Sequence, residues 1–180
     1  MRYLALVTAT LLLASPGAGF QANPQAPLPP KPSPNAGKKG TYQVKTSKAG
    51  YNYYVCVPPG YAEENPAGLH LFFHGQNGQG GAPNFGQWAK HFLDKYNLIG
   101  INMQFEDGDN AKDTEGKVKA AQEALAQTIA DYRIVAGRGV VSSFSGGGLP
   151  HALFYDGQAK NGRSATWPFS FITSSVRSFL

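Results

Sequence analysis

Ser145 is the residue in this chain best placed for covalent chemistry. It follows the strand-like run Val140-Val141-Ser142-Ser143-Phe144, which opens on two β-branched residues, and is followed by Gly146-Gly147-Gly148. A serine that closes a strand and opens a helix is presented at a sharp bend, the geometry of a nucleophile elbow. Its neighbours two before and two after, Ser143 and Gly147, must be small because the bend brings their backbones together. The start of the following helix adds positive potential beside the hydroxyl. A serine so placed can attack an acyl carbonyl, provided that a base takes its proton and a third group orients the base. Downstream there is one histidine, His151, and one acid, Asp156. His151 falls on the following helix, more than a turn from the bend, and reads as a packing or surface residue. Asp156 is expected to close that helix at Asp156-Gly157. A glycine-rich strand-to-helix turn can also serve as a phosphate cradle with no nucleophile, and that reading stays open.

The elements that must hold Ser145 alternate between strand and helix. Thr41 to Ser47 and Tyr51 to Val57 read as an antiparallel strand pair around Ala49-Gly50. Leu69 to Phe73 is a short apolar run without alternation, expected of a strand buried on both faces. Gly75 to Gly81 is a glycine-rich loop. Asn84 can cap a helix whose stripe is Phe85, Trp88, Ala89, Phe92 and Tyr96. Leu98 to Phe105 is the next buried strand, and Glu106 to Gly116 a polar loop. A helix from Lys117 to Tyr132 would bury Val118, Ala121, Leu125, Ile129 and Tyr132. Gly139 to Phe144 is the strand before Ser145, Gly147 to Tyr155 the helix after it. Phe169 to Ser175 is a last strand at or near the sheet edge. This pattern predicts an α/β fold, a mainly parallel sheet with helices on both faces. An apolar strand left at an edge is an association hazard, which suggests that more chain should follow.

The segments Tyr54-Val55-Cys56-Val57-Pro58-Pro59-Gly60-Tyr61, Leu71-Phe72-Phe73-His74-Gly75 and Ser143-Phe144-Ser145-Gly146-Gly147 carry a resemblance. Together they resemble the secreted esterases of the α/β-hydrolase superfamily, in particular the polyhydroxybutyrate depolymerase and feruloyl esterase group. The likeness spans roughly residues 41 to 175, the first half to two-thirds of such a domain. The chain departs from the common G-x-S-x-G form by carrying Ser143 at the first glycine. The resemblance implies ester hydrolysis through an acyl-serine on Ser145. It implies an oxyanion hole formed by the backbone N–H groups of Gln76 and Gly146. Losing one such donor can cost on the order of a hundredfold in rate. His74 and Gly75 would support the loop, His74 by hydrogen bonding and Gly75 by letting the backbone approach substrate. The family's triad acid lies after a later strand and its histidine near the C-terminus, and this chain has no counterpart for either. The fold implied is therefore an incomplete α/β-hydrolase fold. The chain by itself is expected to hydrolyse simple esters poorly or not at all.

Other chemistry-bearing residues are weaker candidates. His70 lies within a strand, and His91 on a helix beside Lys90 and Asp94 reads as solvated. Cys56, the one cysteine, reads as a small buried apolar residue, or as half of a disulfide with a segment beyond this chain. The cluster Glu106, Asp107, Asp109, Asp113 and Glu115 could in principle hold calcium, but its spacing does not fit an EF-hand loop. It reads as a solvated loop near the active-site rim. No metal and no cofactor is expected.

Residues 1–19 have the form of a signal peptide, with Arg2, the apolar stretch Tyr3 to Ala14, and a cleavage site after Gly19 or, as a second choice, Ala22. That stretch is shorter than a bilayer span. Residues 20–40 contain Pro24, Pro27, Pro29, Pro30, Pro32 and Pro34 and read as an extended, solvated linker. Residues 41–180 form the domain. The formal charge of +5 belongs mostly to the ends. Taking Arg2, Lys31, Lys38 and Lys39 from the 16 basic residues leaves 12 against 11 acidic ones. Nothing basic is patterned with aromatics, so nucleic acid is excluded as a partner. The expectation is a secreted or periplasmic serine hydrolase acting on a small-molecule or polymeric ester, with no membrane association after signal cleavage. Two alternatives stand beside it: a degenerate, non-catalytic hydrolase or binding module, and a serine peptidase of the prolyl-oligopeptidase type.

Overall fold

A computed structural model of the chain describes residues 31–48, 50–75, 90–105, 112–160 and 171–176, with the backbone alone for 157–160 and 171–176. Six strands form one sheet. They are β1 (Gly40–Lys45), β2 (Tyr51–Val57), β3 (Ala67–Phe73), β4 (Leu98–Phe105), β5 (Ile134–Phe144) and β6 (Phe171–Val176). Their spatial order is β1-β2-β4-β3-β5-β6. β1 pairs antiparallel with β2, and β2 antiparallel with β4. From β4 across β3 and β5 to β6 every pairing is parallel. The helices are α1 (described over 90–96), α2 (Thr114–Asp131) and α3 (Gly148–Lys160). Among the described residues, no helix is long and apolar enough to cross a membrane.

The pleat of the sheet assigns the two faces. Leu69, Leu71 and Phe73 of β3, with Ile99, Ile101 and Met103 of β4, point to the face covered by α2 and α3. Val118, Ala121, Ala124, Leu125 and Phe154 fill that side. Cys56 and Phe72, at the alternate positions, face the other way and pack with Leu93 of α1 and Leu98. Helices thus cover both faces, as the strand–helix alternation predicts. Cys56 is a buried free thiol within the smaller cluster.

Three local expectations need correction. First, α1 does not turn the predicted stripe inward. Leu93 is fully buried, whereas Phe92 and Tyr96 are 38% and 47% exposed. The helix is rotated by one residue. Phe92 lies edge-on to His70 at 5.4 Å, and Tyr96 packs on Phe92 at 5.2 Å. Asn84, Phe85, Trp88 and Ala89 fall outside the described residues. Second, α2 begins at Thr114, not Lys117. Asp113 is its N-cap and its carboxylate accepts from the Gly116 N–H at 3.2 Å. The same carboxylate takes the Lys48 ammonium and the Tyr51 hydroxyl. These donors hold it well below the usual carboxylate range, at about 2. Gly116 therefore opens the helix instead of breaking it. The buried face is also wider than an alternation of large apolar residues suggests, because Lys117 lies inside it. Its ammonium donates to the Lys112 carbonyl at 2.7 Å and sits over the Phe105 ring. Third, α3 runs on through Asp156-Gly157 to Lys160. A glycine inside a helix costs only about 1 kcal/mol.

The end of the proline-rich stretch is laid on the domain. Ser33 gives both its N–H and its hydroxyl to the Asp131 carboxylate, each at 2.6 Å. The Tyr132 hydroxyl meets the carbonyls of Asn35 and Lys38, and Gln127 donates to the Lys31 carbonyl. Lys38 and Lys39 lie over the rings of Tyr42 and Tyr61. Residues 31–39 thus differ from a free spacer, because the C-terminal end of α2 supplies acceptors and donors for their backbone.

Candidate functional site

Ser145 stands where β5 meets α3. Phe144 is extended, at φ −122° and ψ 134°. Ser145 then takes φ +49°, in the left-handed region. A single tight turn, Ser145–Gly147, leads into α3. The chain reverses from strand to helix over one residue, and that residue is solvent-exposed. A serine held at positive φ is strained by roughly 1–2 kcal/mol. Ser145→Gly is expected to stabilise the fold by about 0.5–1 kcal/mol, since relief of strain exceeds the added freedom of the unfolded chain. Urea denaturation would check this, and a destabilised glycine variant would contradict the strain.

Two glycines lie against the bend. A Cβ on Gly147 would lie 2.4 Å from the carbonyl oxygens of both Phe73 and His74. The turn after Ser145 therefore rests directly on the C-terminal end of β3. A Cβ on Gly75 would lie 2.9 Å from Phe144 Cδ1 and 3.3 Å from Ser145 Cβ. The loop after β3 thus passes alongside the serine, within reach of whatever binds there. Gly146, half-buried, is the residue after Ser145. Its N–H belongs to the first turn, whose donors a helix ladder does not use. Gln76, the other expected oxyanion donor, lies outside the described residues.

His74 is buried and clamped on both sides. The Phe105 N–H donates to its Nε2 at 3.2 Å, so Nε2 is an acceptor and the proton sits on Nδ1. Nδ1–H then donates to the Gly75 carbonyl at 2.7 Å. Both ring nitrogens are used in fixing the loop, and this geometry makes His74 a brace. Two other histidines are engaged elsewhere. His70 Nε2 meets the Ser142 hydroxyl at 2.7 Å on the α1 face. His151 Nδ1 meets the Ser143 hydroxyl at 2.9 Å on the α2–α3 face. His91 is exposed on α1, and Asp156 is exposed on α3. The sequence pattern does not disclose the two serine–histidine pairs. Their one signal is that Ser142 and Ser143, adjacent in a strand, must point to opposite faces. Among the described residues no group of His, Cys, Asp and Glu could hold a metal ion. Glu106, Asp107 and Asp109 of the acidic cluster lie outside them. Asp113 is used as a helix cap.

Burial holds His70 down to about 4. Burial lowers His151 as well. In the unfolded chain His70 protonates near pH 6.5, whereas the folded chain resists until about 4. Stability is therefore full above pH 6.5, falls as pH drops through that window, and levels off below about 4. The expected loss from His70 is about 3 kcal/mol. Denaturation curves at pH 7 and 4.5 should show it. His70→Gln should flatten the dependence, and an equal slope in that variant would refute the assignment.

No family model matches the chain, and no curated protein does. Solved structures do. The poly(3-hydroxybutyrate) depolymerase LpqC from Bordetella parapertussis aligns with a TM-score of 0.56 at 14% identity, over 74% of this chain and 50% of that one. A thermostable esterase aligns at 0.48 and 18% identity, over 61% of this chain and 35% of that one. The acetyl xylan esterase of Aspergillus awamori aligns at 0.46 and 16%, over 64% and 46%. The chain spans half or less of the length of these structures. Likeness at such identities is one of fold, and the alignment with the depolymerase carries it. The chain is thus similar to an esterase of known structure over half of that structure's length, and over that part it shares the α/β-hydrolase fold.

Proposed function

We propose that this chain carries the nucleophile of a secreted or periplasmic serine hydrolase acting on carboxylic esters. The observation that supports it best is the exposed, positive-φ Ser145 set against the loop of Gly75. In this reading Ser145 Oγ attacks the ester carbonyl as its proton passes to a base. The carbonyl oxygen becomes an oxyanion and accepts from the N–H groups of Gly146 and Gln76. Collapse expels the alcohol and leaves an acyl-serine, which water then hydrolyses. The base and its orienting acid are not among the residues described around Ser145, because His70, His74 and His151 are hydrogen-bonded to other groups and His91 lies exposed on α1. The substrate is a small-molecule or polymeric ester, and the leader at residues 1–19 accounts for export.

The commitment of those histidines also favours a second reading, a binding module that retains the scaffold without reacting. Fluorophosphonate labelling with added imidazole separates the two, since imidazole can stand in for the missing base. Label mapped to Ser145, accelerated by imidazole and absent in Ser145→Ala, is the expected result. An ester analogue that binds stoichiometrically while Ser145 stays unlabelled at every imidazole concentration would favour the binding module.

A further inference from the structure

We propose that the Ser143–His151 pair positions Ser145, acting at this bend where the common form of the motif has only a glycine. The inference rests on Ser145 being the nucleophile. Ser143 Oγ and His151 Nδ1 share a hydrogen bond of 2.9 Å, and both residues are buried. The His151 ring lies nearly parallel to Phe73, at 6.2 Å and 13°. Phe73 is the residue opposite Ser143 in the β3–β5 ladder. Its carbonyl is one of the two atoms on which Gly147 rests. These contacts join the end of β5, the start of α3 and the end of β3 around a single strained residue. Strain of that kind persists only where the surroundings over-determine it.

The serine at position 143 makes the histidine necessary. A glycine there would bring no polar atom. A serine brings a hydroxyl into a buried place, and a buried hydroxyl needs a partner. His151 supplies the partner from the second turn of α3, and so ties the helix to the strand across the bend. Burial lowers the proton affinity of the ring, in keeping with a role in which no proton moves. His151 is a positioning residue, since its hydrogen bond goes to Ser143.

The test uses Ser145→Cys as a reporter, because a thiolate at a helix N-terminus needs no histidine to activate it. Alkylation by iodoacetamide is followed by mass mapping at position 145, which counts buried Cys56 separately. Adding His151→Leu should slow alkylation at 145 by about tenfold, the effect of a small misplacement. Adding Ser143→Gly to that variant should restore the rate to within about twofold, since the orphaned hydroxyl is then gone. His151→Gln, which keeps a hydrogen-bonding group, should hold the rate near that of the reporter alone and covers the case that the leucine variant does not fold. The proposal is overturned if His151→Leu lowers the melting temperature but leaves the rate unchanged, or if Ser143→Gly fails to restore it. A reporter no more reactive at 145 than at Cys56 would instead overturn the reading of Ser145 itself, and the inference with it.

Discussion

Gly147→Ala is expected to destabilise the fold by about 3 kcal/mol or more. The added methyl would arrive 2.4 Å from two backbone carbonyl oxygens, those of Phe73 and His74. Neither can swing aside as a flexible side chain could. Phe73 ends β3, whose neighbours β4 and β5 hold it in parallel register, and His74 follows it directly with both ring nitrogens hydrogen-bonded. The clash must be relieved by lifting the turn away from the sheet. That would carry Ser145 with it and open the packing beneath, where Phe73 is fully buried against Phe105, Phe154 and His151. Gly75→Ala serves as the control. Its methyl meets chiefly the ring of Phe144, which is 47% exposed and free to turn outward. That substitution should cost about 1 kcal/mol or less. Urea denaturation of the two variants side by side decides the matter. Equal stability would mean that the close approach at Gly147 is not what fixes the bend.

The contrast between those glycines shows what a sequence can and cannot display. The bend at Ser145 is legible because its cause is local: a strand-like run, a serine and three glycines in succession. The sheet is legible for a similar reason. Leu69 to Phe73 and Leu98 to Phe105 are apolar at most positions, with His70, Asn102 and Gln104 the exceptions, as suits a strand buried on both faces. The orientation of α1 is not legible. Phe92 and Leu93 are both apolar, and the choice between them depends on Phe72, Cys56 and Leu98 arriving from other elements. The docking of residues 31–39 is hidden for the same reason. Proline content describes stiffness, whereas Asp131 and Tyr132, about a hundred residues away along the chain, supply the attachment. The partners of Ser142 and Ser143 are hidden because alternation sends adjacent serines to opposite faces. Each then meets a histidine that only the tertiary fold brings near.

That commitment of the histidines sets the size of the remaining prediction. In a serine hydrolase, losing the base lowers kcat by on the order of a millionfold, and the oxyanion donors alone retain about 10³–10⁴ over water. Ordinary enzymes turn over at about 1–10³ per second. The 180-residue chain, with His70, His74 and His151 hydrogen-bonded to other groups, is expected to hydrolyse p-nitrophenyl esters about five to six orders of magnitude below that range. On the proposed reading, imidazole should raise the rate in a manner that saturates with ester, because it supplies the base that Ser145 needs. Ser145→Ala should leave only the reaction of imidazole in free solution. Turnover in the ordinary range without imidazole would show that one of these histidines leaves its present partner to serve Ser145. His151 would then be the first to examine, because it alone lies on the helix that Ser145 opens, and its hydrogen bond to Ser143 would have to break for it to act.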